Sequence, residues 1–168
     1  MILKIGDWEF DIDMERTMAY SAAEAAEHCD CAYCRNFYTA VDEDCPALRP
    51  MLAQFGIDVE APDALYPYDS YLDRVCYEGE YVVFGRILRQ GKHHICVSDS
   101  CDFYIWPKME SEYDIAEPHF VLSLEEAQIR WVLDEPFQEV ISPANEPSFL
   151  KKMWDRLLRK APQGNAQS

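Results

Sequence analysis

The sequence predicts an α+β fold, with N-terminal helices and one C-terminal helix packed on an antiparallel β-sheet of about four to six strands. Three observations carry this. The apolar period changes from 3.6 in the first third of the chain to 2 after about residue 75. Helical and strand patterns come in runs and do not alternate, which argues against parallel βαβ units. The 168 residues are 49% apolar and 13% aromatic, enough for one packed core. The expected organisation is a single domain over 1–160, followed by a polar, frayed tail over 161–168. Within the domain, a helical, cysteine-containing part covers about 14–60, a sheet part about 75–135 and a last helix 147–160.

Element by element, Ile2–Ile5 and Trp8–Ile12 flank Gly6-Asp7 and predict a short hairpin. Ser21-Ala-Ala-Glu24 has capping-box spacing and opens a short helix through Glu27. Ala32–Val41 is helical, with Cys34, Tyr38 and Val41 on one face. Ala47–Phe55 follows as a helix, with Leu48, Met51, Leu52 and Phe55 at i, i+3, i+4, i+7 and Gly56 as the residue that ends it. Asp58–Tyr71, with its prolines and tyrosines, reads as a loop. Glu80–Leu88 and His93–Val97 form two strands around a turn at 89–92. Cys101–Trp106 is a strand ended by Pro107, and Pro118–Leu124 and Ile129–Leu133 are two more, joined through 125–128. Pro147–Lys160 closes the chain as an amphipathic helix.

The charge narrows the function. There are 31 Asp+Glu against 15 Lys+Arg, a net of −16. Residues 1–80 hold 18 acids and 5 bases, and the last helix is locally basic. Phosphate recognition needs a basic face, so nucleic acid is not an expected ligand, and neither is an anionic membrane. No run approaches the length of a membrane span, and the N-terminus carries no secretory pattern. Seven cysteines without such a pattern place the chain in a reducing cytoplasm, with free thiols or a metal in place of a disulfide framework. Phosphate-binding glycine loops, zinc-protease motifs and serine-nucleophile elbows are absent from the sequence. The leading expectation is therefore a non-enzymatic interaction protein whose acidic surface binds a basic protein partner. Tyr66, Tyr68, Tyr71 and Asp69 are its candidate partner-binding residues, because tyrosine offers contact area at low entropic cost. The plainer reading is a loop packed over a sheet edge.

The alternative is a structural zinc or thiol-redox protein centred on His28-Cys29-Asp30-Cys31-Ala32-Tyr33-Cys34. Cys31-x2-Cys34 has the spacing with which two thiolates chelate one zinc ion from a turn entering a helix. Cys29 or His28 supplies a third ligand in this reading. Cys45, Cys76, His93 and His94 are candidates for the fourth. A second paired motif is missing, so the competing reading is a set of small buried thiols, with no cofactor at all. A redox role takes its support from the helix N-terminus, which favours thiolate, and meets opposition from Glu24, Glu27 and Asp30 close by in sequence. The run Cys29-Asp-Cys31-Ala-Tyr-Cys34-Arg-Asn-Phe37, followed by Gly56-Ile57-Asp58, resembles a bacterial family of uncharacterised proteins with C-x-C-x2-C-x-N-F and then G-I-D. The resemblance covers about residues 28–60 and implies a bacterial cytosolic origin, with no activity to carry over. Asp42-Glu43-Asp44, ahead of Pro46, reads as dipole compensation at a helix start, and His119 as a surface or satisfied histidine.

Overall fold

The computed structural model describes residues 1–98, 101–107, 113, 115–137 and 140. The helix expected over 147–160 and the tail over 161–168 lie outside the described residues. The order is β1 (Ile2–Ile5), β2 (Trp8–Ile12), α1 (Met14–Ala26), α2 (Ala32–Asp44), α3 (Leu48–Ala53), β3 (Ala64–Tyr71), β4 (Arg74–Arg89), β5 (Ile95–Ser98), β6 (Cys101–Pro107) and β7 (His119–Arg130). The fold is α+β with an antiparallel sheet, as the patterning predicts.

The described sheet has seven strands in the order β1-β2-β4-β7-β6-β5, and β3 also pairs with β4. Its spine is β4. One edge of β4 takes β7 from Arg74 to Phe84, and the other takes β3 at its start and β2 at its end. Between Glu80 and Gly85 neither β2 nor β3 reaches it. The backbone there is satisfied by side chains and turns. Asp63 accepts from Val82 N at 2.7 Å, Thr17 Oγ1 accepts from Phe84 N at 3.1 Å, and Asp13 N donates to Phe84 O at 2.9 Å. Thus α1 is fixed at a gap in the sheet largely by polar contacts, consistent with buried backbone groups requiring partners.

Alternation along β4 separates two faces. Val75, Tyr77, Tyr81 and Val83 are buried and meet Phe37, Val41, Leu48, Leu52 and Phe55 of the helical segment in one core. Phe10 of β2 stacks on Phe120 of β7 at 5.2 Å and meets Phe55 edge-on at 5.4 Å. Burying such side chains contributes roughly 1.5–3 kcal/mol each.

Several boundaries differ from the sequence reading, each for a local reason. The first helix starts at Met14, because the Asp13 side chain caps Arg16 N at 3.1 Å. Ser21 therefore sits mid-helix, where its hydroxyl accepts from Asp58 N at 2.9 Å. Residues 64–71 are a strand, despite Pro67, because Pro67 lies on an edge strand beside a register shift. The strands around 89–92 do not pair with each other: β5 pairs with β6 at the far edge. His93 and His94 precede β5, and His93 O accepts from Trp8 Nε1 at 2.7 Å. Residues 119–130 are one strand, continuous through a bulge where Glu126 takes φ 58°. Asp42-Glu43-Asp44 ends α2 and starts nothing. Carboxylates oppose the dipole there, and arginines compensate: Arg130 Nε reaches Asp44 at 2.7 Å, Arg130 Nη2 reaches Glu43 at 3.0 Å, and Arg49 Nε reaches Asp42 at 2.8 Å. Gly6 holds the predicted hairpin turn at φ 57°.

Candidate metal centre

The start of α2 gathers Cys29, Cys31 and Cys34. Cys31 is the N-cap, in extended conformation, and Cys34 lies in the first turn. Cys29 and Cys31 are exposed, and Cys34 is buried. The three sulphurs lie within 4.8 Å of one another. A tetrahedral zinc ion with bonds of about 2.3 Å separates its sulphurs by about 3.8 Å, so the arrangement needs little adjustment to close on one ion.

The residues after the cysteines explain why the corner holds its shape. Phe37 is wholly buried and packs on Tyr77, ring centres 5.2 Å apart. Asn36 is also wholly buried. Its Nδ2 donates to Arg130 O at 2.9 Å, and its Oδ1 accepts from Val132 N at 2.8 Å. Tyr77 OH donates to Tyr33 O at 2.9 Å. Asn36 and Tyr77 thus clamp the first turn of α2 to the ends of β4 and β7. Leaving such groups unpaired would cost about 1–3 kcal/mol each. Arg35 turns away from the sulphurs to the carbonyl and carboxylate of Asp30 and to Glu135. Trp131 meets Tyr33 edge-on at 5.6 Å and walls the same corner.

The thiols are electrically unequal. Burial, followed by the neighbouring Cys31 and Cys29, pushes Cys34 well above the ordinary thiol value. Partial burial also opposes ionisation of Cys31, but the N–H groups of Cys34 and Tyr33 and the thiols of Cys29 and Cys34 outweigh it and hold Cys31 below that value. The acidic neighbours expected to raise Cys31 do not decide its state; hydrogen bonds at the helix start do. A cation is what removes the remaining protons from such a cluster, because thiolates are the ligands and binding releases protons.

No family model, curated protein or solved structure matches the chain. The donor set at this corner is three soft thiols, which suit the borderline-soft zinc ion. His28 precedes Cys29 and rests against Tyr38, ring centres 5.0 Å apart. It is outside the convergent group, as are Cys45, Cys76, His93 and His94. Cys45 and Cys101 are buried in the core. No disulfide links cysteines among the described residues.

The proposed partner residues lie on β3. Tyr66, Asp69 and Tyr71 stand opposite Glu78, Cys76 and Arg74 of β4. Tyr66 and Tyr71 are exposed, and Asp69 accepts from Ser70 N at 2.8 Å. Burial is the main cause that holds the Tyr68 hydroxyl above its ordinary pKa. They form part of a larger surface that sequence reasoning missed. On the sheet face opposite α2 and α3, Glu78 and Glu80 of β4, Glu125 and Glu126 of β7 and Asp102 of β6 come together. Burial, then Glu78, Glu126 and Asp102, push Glu125 up to about 7. The signal was present as Glu at alternate positions 78 and 80, but reading 125–128 as a loop hid its other half.

Proposed function

We propose that the protein binds one zinc ion through the thiolates of Cys29, Cys31 and Cys34, with His28, adjacent to Cys29 in sequence, as the candidate for the fourth position. The observation that carries this reading is the convergence of three sulphurs on one turn, braced by the buried Asn36 and Phe37. The ion would tie the segment before α2 to the helix, since structural zinc contributes directly to folding energy. The resemblance of Cys29–Phe37 to a bacterial family brings no activity to this reading. Cobalt(II) titration tests it. Thiolate-to-cobalt charge-transfer bands should grow to one equivalent and be lost in C31S and C34S, while H28A should weaken binding and keep the bands. Identical spectra from wild type and C31S/C34S would sink it.

A second reading is supported by the acidic sheet face: a cytoplasmic accessory protein that docks a basic protein partner there. Among the described residues, no Lys or Arg pairs with Glu78, Glu125 or Glu126. Such a surface steers encounter with a positive partner. A partner that co-purifies at low salt with wild type and not with E78K/E126K would support it. Retention indifferent to both salt and substitution would exclude it.

A further inference from the structure

Asp102 of β6 stands directly opposite Glu125 of β7. Opposed residues of an antiparallel pair project from the same face with Cβ atoms about 4.5–5.5 Å apart, and like charges placed there repel. The two oxygens of Asp102 are not equivalent. Oδ2 lies 3.2 Å from His94 Nε2. Oδ1 is buried and has no hydrogen-bond partner among the described residues. A buried carboxylate oxygen without a donor costs free energy. The side chain placed to supply that donor is Glu125, and it can do so only with a proton on its carboxyl.

The surroundings hold both groups in this arrangement. The His94 ring stacks on Tyr104, centres 5.3 Å apart and planes 25° apart. Tyr104 is two residues beyond Asp102, so both point from the same face of β6. His94 therefore caps Asp102 on the side away from Glu125. Around Glu125 stand Glu78 and Glu80 of β4, Glu126 on β7 itself, and Asp102 and Tyr104 of β6. Tyr68 and Asp69 of β3 and Cys76 of β4 lie beyond Glu78 and Glu126. Among the described residues, no Lys, Arg or His forms an ion pair with Glu125.

The position of the pair gives it leverage. β5 pairs with β6 alone, and β6 is joined to the sheet through β7. Asp102 and Glu125 sit on that one seam.

We propose that Asp102 and Glu125 share one proton across β6 and β7, and that with His94 on the other oxygen of Asp102 they form a pH-operated latch holding the β5–β6 edge to the sheet. Glu125 carries the proton and donates it to Asp102 Oδ1. When the proton leaves to water, the hydrogen bond is lost and two carboxylates face each other across the seam. Burial, then Glu78, Glu126 and Asp102, push Glu125 up to about 7. The latch is accordingly closed below about pH 7 and opens above it. It requires neither a bound metal nor a partner.

Carboxyl-carbon NMR titration of the full chain tests it. The Glu125 Cδ resonance should titrate near pH 7, and Asp102 Cγ should move in the same step, because one proton serves both. An Asp102 signal that does not follow Glu125 would overturn the proposal. By burial and charge alone, Asp102 is the weakest of the three carboxylates acting on Glu125. A shared proton reverses that order. D102N should lower the Glu125 midpoint by a unit or more, and by more than E78Q or E126Q does. A larger fall in E78Q or E126Q would make Glu125 an ordinary crowded acid and contradict sharing. H94Q should keep the Glu125 step, and its disappearance would assign the step to the imidazole. Amide exchange reads the latch itself. Protection of β5 and β6, corrected for intrinsic exchange, should fall several-fold from pH 6 to pH 8 in wild type. E125Q keeps a donor for Asp102 and should hold its protection across that range. The same loss in wild type and E125Q would refute the latch.

Discussion

The cysteine corner and the acidic sheet face are both polar surfaces on one framework, yet they are built in opposite ways. At the corner, donors converge: three sulphurs lie within 4.8 Å of one another, and the next residues along α2 are buried and hydrogen-bonded to the sheet. On the sheet face, carboxylates spread along three strands. None of them forms a convergent group of the kind the cysteines make, among the described residues. Convergence on a braced turn suits a small ion, whose binding energy is concentrated in a few short bonds. Dispersion over pleated backbone suits a large, oppositely charged surface, where each pair contributes little and the sum sets encounter. The comparison teaches that the net charge of −16 does not mark the most specific site. The site with the stronger geometric case is the one made of thiols.

The largest break in this picture should come from its bracing. Phe37→Ala removes a wholly buried ring between α2 and Tyr77 and should lower stability by about 3–5 kcal/mol, read by chemical denaturation. A loss under about 1 kcal/mol would mean that α2 is not anchored through Phe37. Asn36→Ala is next. It strips partners from Val132 N and Arg130 O and should cost about 1–3 kcal/mol. It should also weaken cobalt binding without touching a sulphur; unchanged affinity would separate the brace from the site.

The acidic face should respond in the opposite direction and more weakly. Burial and like charges raise the folded-state pKa of Glu125 to about 7 from an ordinary 4.5. The folded chain then binds more protons than the unfolded chain between those values, so this group's contribution to stability increases as pH falls from about 7 towards 4.5. Glu125→Gln should stabilise the protein above pH 7 by about 1 kcal/mol or less, after solvent screening, and flatten this part of the pH profile. A destabilised Gln variant at pH 8 would show that the carboxylate has a favourable partner. Asp44 sharpens the contrast, because its carboxylate takes both N and Nε of Arg130 at 2.6 and 2.7 Å. Asp44→Ala should therefore destabilise where Glu125→Gln does not.

Local chemistry made much of this visible in advance. The Gly6-Asp7 hairpin, the α2 start at Ala32 and the apolar set Leu48, Leu52 and Phe55 follow from spacing and propensity alone. Long-range pairing was not visible in that way. A turn at 89–92 suggested that its two flanking strands pair, yet β4 already has β7 and the β2 and β3 edges as partners, so β5 pairs with β6. The bulge at Glu126 breaks the period of 2 inside one strand and makes it read as two. Asp42-Glu43-Asp44 looked like a helix start because its neutralising arginines, Arg130 and Arg49, come from later in the chain. The three cysteines were legible as a cluster, since all lie within one turn and its lead-in. That Asn36 and Phe37 brace them required the sheet.

Zinc content measures most directly whether the cysteine corner holds a metal ion. Protein purified anaerobically from zinc-supplemented cells should carry one zinc per chain by elemental analysis, and C31S/C34S should carry essentially none while keeping its sheet. Substoichiometric zinc that is equal in wild type and C31S/C34S would contradict it, and would return the three thiols to the status of small side chains at a helix start.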